Sequence, residues 1–203
     1  MSVFILALFT SMSGYAFAKL KIVGKNFIYW GIISLLAMPT QIFIIPLFIM
    51  FSKVNLIDNF FGITLIYVGF RYAFGTFLMK SFYQSIPDDI LDSAKIDGAN
   101  NFQIYTKIML PLGKPAITTL VVINFFSIWN ELFISMIFNR SKNSRLITSG
   151  IALYQDVARV GSQLTNWPLI FTGMILSLVI PFIVYFLFQN KIASGLTVGA
   201  IKE

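Results

Sequence analysis

The sequence predicts an all-α, polytopic helical membrane protein, and three observations carry that reading. Hydrophobic residues make up 57% of the 203-residue chain and charged residues only 11%, against about 25% charged in an ordinary soluble domain. Mean hydropathy is +0.81. The apolar residues gather into long runs, Val3–Ala18, Phe27–Phe51, Phe60–Phe82, Ala116–Phe138 and Trp167–Phe188, and a hydrocarbon core about 30 Å thick is crossed by roughly 20 residues of helix. The runs lack the apolar and polar alternation of a membrane β-barrel, and a helix satisfies its backbone groups internally in lipid. About five transmembrane helices are therefore expected, in one membrane domain spanning residues 1–203.

The first run closes on Ala16-Phe17-Ala18, which resembles a signal-peptidase site. No basic stretch precedes it, and Lys19 and Lys21 follow it as an inside flank would, so it reads as a membrane helix. The second run carries Met38-Pro39 and Ile45-Pro46, the third has Arg71 at its middle, and the fourth holds Asn124, Trp129, Asn130 and Glu131. Placing Lys19, Lys21, Lys25, Lys80, Lys95, Lys107, Lys114, Lys191 and Lys202 on one side leaves Lys53, Arg140, Lys142, Arg145 and Arg159 on the other. The richer side is expected to be cytoplasmic, and with it the C-terminus. The net charge of +7 is thus spread over loops and makes no single basic face for nucleic acid.

Between the third and fourth runs lies a polar segment, residues 83–115. Pro87 suits a first helical position, with Asp88, Asp89 and Asp92 near the positive end of the helix dipole. Ile90, Leu91 and Ala94 fall on one face, and Gly98 suits the left-handed residue that closes a helix. Asn100 or Asn101 can cap a second helix with Phe102, Tyr105, Ile108 and Met109 as its stripe, until Pro111 prevents simple continuation. The product is a helix-turn-helix outside the bilayer. Its apolar stripe needs a cover, either the ends of the chain's own helices or the groove of another protein.

The chain has no His and no Cys. It cannot build a His-Glu-x-x-His zinc site, a Ser-His relay or a Cys nucleophile from its own residues. Catalytic residues and metal ligands are not expected, nor is the chain expected to be an enzyme. It also lacks a Gly-x-x-x-x-Gly-Lys-Ser/Thr loop, so any dependence on ATP must come from a partner.

The order Asp92-Ser93-Ala94, three residues, Gly98, nine residues, Ile108-Met109-Leu110-Pro111 resembles the EAA loop of bacterial ABC importer permeases. That family's pattern is Glu-Ala-Ala-x3-Gly-x9-Ile-x-Leu-Pro. Asp92 stands for Glu and Ser93 for the first Ala, while Ala94, Gly98, Ile108, Leu110 and Pro111 agree. The surrounding Ser85-Ile86-Pro87, Lys95-Ile96-Asp97-Gly98-Ala99 and Leu110–Ala116 resemble the carbohydrate branch, the maltose-type inner-membrane permeases, and its G subunit in particular. Trp129-Asn130-Glu131-Leu132-Phe133 and the tail Gly195–Ala200 are similar to the same branch, so the likeness runs along essentially the whole chain. Those relatives usually have six spans and this chain begins inside their second, so a first span is expected to be missing.

The resemblance implies a subunit of the bacterial cytoplasmic (inner) membrane that imports a sugar or oligosaccharide. It implies a second permease as heterodimer partner, two copies of a cytoplasmic ATPase, and an extracytoplasmic solute-binding protein. ATP and Mg would be used by the ATPase, with no cofactor bound by this chain. Asp92, Ser93 and Ala94 would be the turn that docks into the ATPase, Gly98 the bend, and Ile108 to Pro111 the junction to the next span.

Within the spans, a charge near mid-bilayer costs roughly 2.5–3.5 kcal/mol on the insertion scale, so Arg71 and Glu131 should face protein or water. They are expected to pair with each other or to contact the partner permease. Asn124, Asn130 and Gln41, with Phe125, Trp129 and Tyr67, could line a sugar path. Interhelical hydrogen bonds, worth about 0.6 kcal/mol each, would explain the same residues. A secondary transporter or channel uncoupled from ATP is the alternative class. It would not need the loop.

Overall fold

Every regular element among the described residues is helical in the computed structural model, which describes residues 1–141, 144–160 and 167–197. Helix α1, Ser2–Lys19, ends where Leu20 turns extended. Helix α2, Lys25–Ser34, starts after Gly24, whose φ of 72° lies in the left-handed region. A 3-10 turn at Leu35–Ala37 follows, and the helix then stops at Met38-Pro39. Proline has no N–H to donate and its ring drives the residue before it out of the α region; Met38 accordingly sits at φ −91°, ψ 128°. Helical structure resumes as a 3-10 turn, Thr40–Phe43, and helix α3, Ile44–Lys53. The run Phe27–Phe51, expected as one continuous span, is thus broken at Pro39. Pro46 falls in the first turn of α3, where N–H groups have no partner within the helix.

Helix α4, Phe60–Gln84, is uninterrupted over 25 residues. Asn59 Oδ1 accepts the Phe61 N–H at 2.8 Å and fixes its start. The polar segment forms α5 (Asp88–Ile96), α6 (Asn101–Ile104), a π-helical turn (Tyr105–Met109) and α7 (Leu110–Leu112). Helices α8 (Lys114–Trp129), α9 (Phe133–Phe138), α10 (Ile147–Val160) and α11 (Trp167–Thr197) follow. The run Ala116–Phe138 is broken as well, at residues 130–132, for a reason that lies in Glu131. Among the described residues, helices α1, α4 and α11 are each long and apolar enough to cross a membrane, and the number rises to as many as five when each bent pair of shorter helices is taken as one span. Lys142, Lys202 and the end of the Gly195–Ala200 tail lie outside the described residues.

Contacts divide the chain into two units. The first comprises Met1–Pro39, Val68–Asn124 and the end of α11 from Gln189. In it α1 and α4 approach closely through small residues, as membrane helices do. A Cβ on Gly14 would lie 2.5 Å from Met79 Cβ, and one on Gly75 2.6 Å from Thr10 Cγ2. Ser13 and Thr76 hydroxyls share a hydrogen bond of 3.0 Å across the contact. The second unit comprises Thr40–Tyr67 and Phe125–Phe188. Its buried Phe51 and Phe138 meet edge to face at 6.0 Å, with Phe48 beside them. Along α11, Ile170 is the one buried residue among the described side chains, while Leu176, Phe182, Phe186 and Leu187 are exposed.

Candidate functional site

The polar segment folds as two short helical limbs. Pro87 is the residue before α5 (φ −57°, ψ 141°), so the helix begins at Asp88, one position later than its sequence suggests. Asp88 and Asp89 occupy the first turn and Lys95 the last, each complementing the helix dipole. The helix closes at Gly98 with φ 80°. The Gly98 N–H donates to Lys95 O at 3.0 Å and the Ala99 N–H to Ala94 O at 2.9 Å, the paired bonds of a Schellman cap. Asn100 then caps α6 reciprocally with Gln103, both bonds at 2.9 Å.

One face of this helix-turn-helix packs on its own unit. Leu91 and Ala94 of α5 and Ile104, Tyr105 and Met109 of the second limb join Leu6, Ala7, Tyr15, Met79, Tyr83, Ala116 and Leu120 in one core. Ile104 and Met109 are both fully buried although five residues apart, the spacing a π turn allows. The inward stripe therefore differs from the expected one. Ile104 takes the place of Phe102, which is 67% exposed, and Ile90 is exposed beside the buried Leu91 and Ala94. Ile108 and Leu110 pack half-buried against the same core, and Pro111 is the second residue of α7. The chain then bends by 70° at Gly113 into α8. A Cβ there would lie 2.7 Å from the Tyr83 hydroxyl oxygen.

The other face carries Ile90, Asp92, Ser93, Ile96 and Phe102, with Ile96 87% exposed. Asp92 and Lys95 form an exposed ion pair at 2.8 Å, which holds the Lys95 ammonium above its ordinary range chiefly through that hydrogen bond. Ser93 Oγ donates to Asp89 O at 2.8 Å within its own helix. Asp92 and Ser93 thus point away from the core, and Ala94 points into it.

Three residues of α1 hold the loop. Lys19 Nζ, on a side chain only 5% exposed, donates to Ile86 O and to Asp88 Oδ1, each at 2.6 Å. The Lys19 hydrogen bond keeps the Asp88 carboxyl below the usual carboxylate range. Ser11 Oγ shares hydrogen bonds with the Tyr83 and Tyr105 hydroxyls at 2.9 and 3.1 Å. The Tyr15 hydroxyl donates to Asn101 O at 3.4 Å.

The residues singled out inside the spans divide between the units. Arg71 is half-buried in the middle of α4, and Asn124, 1% exposed, donates to Leu120 O of its own helix at 2.8 Å. Both belong to the first unit, whereas Trp129, Asn130 and Glu131 belong to the second. Trp129 packs on Phe125 with ring centroids 5.6 Å apart, and Asn130 is exposed at the break. The Glu131 carboxylate accepts the Ile134 N–H at 2.8 Å, the Ser135 N–H at 3.1 Å and the Tyr67 hydroxyl at 3.0 Å. It caps α9, which is why the helix restarts here. Glu131→Ala is expected to cost about 1 kcal/mol, the usual loss of a helix cap, while Glu131→Gln keeps an acceptor and stays closer to wild type. Thermal unfolding of the purified variants in detergent checks this ordering.

Sequence reasoning missed Lys19 as a partner of the loop, and missed Asp58. Asp58 is left-handed (φ 57°), its N–H donates to Phe138 O at 2.8 Å, and its Oδ1 accepts from the Arg140 N–H, the Ser141 N–H at 2.7 Å and Ser144 Oγ at 3.1 Å. The backbone bond from Ser141 is the largest of the effects that hold its carboxyl below the usual range. The available signal was the pair Asp58-Asn59 just before a long helix, a turn-forming sequence.

These features define a polytopic helical membrane protein with a helix-turn-helix set between its spans. Residues 6–198 match the family model of the binding-protein-dependent transport system inner membrane component, and the chain belongs to that family. It is 33% identical over 201 residues to an ABC transporter permease protein of Caldicellulosiruptor sp., covering 99% of this chain and 71% of that protein. It is 30% identical over 194 residues to the arabinooligosaccharides transport system permease protein AraQ of Bacillus subtilis, covering 96% of this chain and 66% of that protein. In fold it is similar to a chain in the crystal structure of a bacterial ABC transporter involved in the import of the acidic polysaccharide alginate, with a TM-score of 0.70 and 24% identity over 94% of this chain and 74% of that one.

Proposed function

We propose that the chain is a permease subunit of a binding-protein-dependent ABC importer for a sugar or oligosaccharide, and that residues 83–115 are its point of attachment to a cytoplasmic ATPase. The observation that carries this reading is the loop itself. Asp92, Ser93, Ala94, Gly98, Ile108, Leu110 and Pro111 stand at the spacing of the EAA pattern, in a helix-turn-helix that fixes one face on its own unit and leaves Ile90, Asp92, Ser93, Ile96 and Phe102 outward. An exposed apolar and acidic helix face suits a groove on another protein. Likeness to a permease named for arabinooligosaccharides supports a carbohydrate as cargo.

In the assembled importer this chain pairs with a second, different permease, each of the two permeases binds one ATPase copy through its own loop, and the pair receives solute from an extracytoplasmic binding protein. ATP and Mg are consumed by the ATPase, and this chain binds no cofactor. The excess of basic residues in the loops on that side supports a cytoplasmic position for residues 83–115 and the C-terminus. Arg71 and Glu131 serve the permease core, and Asn124, Trp129 and Asn130 lie along or beside the translocation path.

Single-cysteine cross-linking in this Cys-free chain tests the attachment. Ser93→Cys and Ile96→Cys should form nucleotide-sensitive disulfides with single-cysteine variants of the ATPase. Ala94→Cys, 7% exposed in its own core, should not. A folded, assembled complex that gives no cross-link from Ser93 or Ile96 would overturn the assignment.

A further inference from the structure

We propose that Lys19 is a positioning residue that fixes the start of α5 to α1, so that a push on the coupling loop is carried directly into α1. The inference rests on the attachment of the loop to an ATPase argued above.

Three features of Lys19 carry the inference. It is the last residue of α1, yet its side chain is only 5% exposed. Burying an ammonium is costly unless it is paired and hydrogen-bonded, and here both conditions are met. Nζ reaches a carboxylate, Asp88 Oδ1, and a carbonyl, Ile86 O, each at 2.6 Å. The location is also electrostatically unusual, because the N-terminus of α5 is a positive dipole end that on its own repels a cation. The Asp88 carboxylate reverses that local sign, while the end of α1, a negative dipole end, supplies the favourable half of the contact.

The two acceptors flank Pro87, the residue at which the chain turns from the end of α4 into α5. A single ammonium therefore sets both the position and the entry angle of the first limb relative to α1. The second limb is held to the same helix by Tyr15 and Ser11, through Asn101 O and the Tyr105 hydroxyl. α1 grips both limbs, and Lys19 is the charged, directional part of that grip. Without it the first limb would remain joined covalently to α4 and by apolar contacts of Leu91 and Ala94, which can slide.

The test uses the assembled transporter with two reporters. The Ile96→Cys cross-link to the ATPase reports docking, and a spin label at Phe4→Cys, an exposed residue near the far end of α1, reports the response of α1 to ATP–Mg with vanadate. With Lys19 intact both should respond to nucleotide. In Lys19→Met the cross-link should remain nucleotide-sensitive while the Phe4 response is lost, and Lys19→Arg should restore it. If Lys19→Met does not fold, Asp88→Asn, which removes the charge partner from the surface side, should weaken the Phe4 response in the same way. An unchanged Phe4 response in the folded variants overturns the proposal, as does a joint fall of cross-link and spin response, which a purely structural residue would give. Failure of the Ile96 cross-link with Lys19 intact instead overturns the attachment reading.

Discussion

Tyr83→Ala is expected to cost about 3–5 kcal/mol, the usual loss for a buried aromatic truncated to alanine. The Tyr83 side chain is fully buried at the centre of the first unit's core, edge-on to Tyr15 at a centroid distance of 6.4 Å. It meets Gly113 at the bend into α8, and its hydroxyl shares a 2.9 Å hydrogen bond with Ser11. Truncation removes the ring on which the second limb of the loop rests and leaves Ser11 with Tyr105 alone. Tyr83→Phe keeps the ring and loses one hydrogen bond, worth about 1 kcal/mol. Thermal unfolding in detergent, with co-purification of the ATPase as the second readout, should rank wild type, Phe and Ala in that order by a wide final step. Equal effects from the two variants would mean that the hydroxyl, not the ring, holds the loop.

The sequence made the loop legible because its signals are local. Gly98 closes a helix with φ 80°, Asn100 caps the next one, and the acidic first turn begins at Asp88, all within a stretch of 13 residues. Its inward stripe was harder, since the π turn between Tyr105 and Met109 moves burial from Phe102 to Ile104, a shift that a 3.6-residue period does not contain. The breaks at Pro39 and Glu131 were hidden for a different reason. A hydropathy window weighs how apolar a residue is, and proline is tolerated inside membrane helices often enough that Met38-Pro39 alone does not announce a break. Glu131 becomes a cap only once Ile134 and Ser135 present their N–H groups to it. Helix α10 is amphipathic and too polar to register as a span. Lys19 and Asp58 act on partners 67 to 86 residues away, beyond any local pattern.

Gly14→Leu is expected to be nearly as severe as Tyr83→Ala, by the opposite mechanism. A Cβ at residue 14 would sit 2.5 Å from Met79 Cβ and 2.9 Å from both the Lys80 nitrogen and the Met79 carbonyl carbon. The last two are backbone atoms of α4, which no rotamer change can move aside, so α1 and α4 must separate. Overpacking of this kind costs about 1–3 kcal/mol and sometimes more, and leucine adds three further carbons to the clash. Separation also weakens what the contact carries: the Ser13–Thr76 hydrogen bond, Thr10 against Gly75, and Ser11 with Tyr83. Gly14→Ala should already lower thermal stability in detergent, and leucine should lower it further. Gly150→Ala is the matched control, because nothing lies within 4 Å of a Cβ at residue 150. Alanine there removes only glycine's excess freedom in a helix, a gain of up to about 1 kcal/mol, so it should leave stability unchanged or slightly raised. A Gly14→Ala variant as stable as Gly150→Ala would show that α1 and α4 do not meet at this residue, and the anchoring of the loop through Ser11, Tyr15 and Lys19 would then need a different geometry.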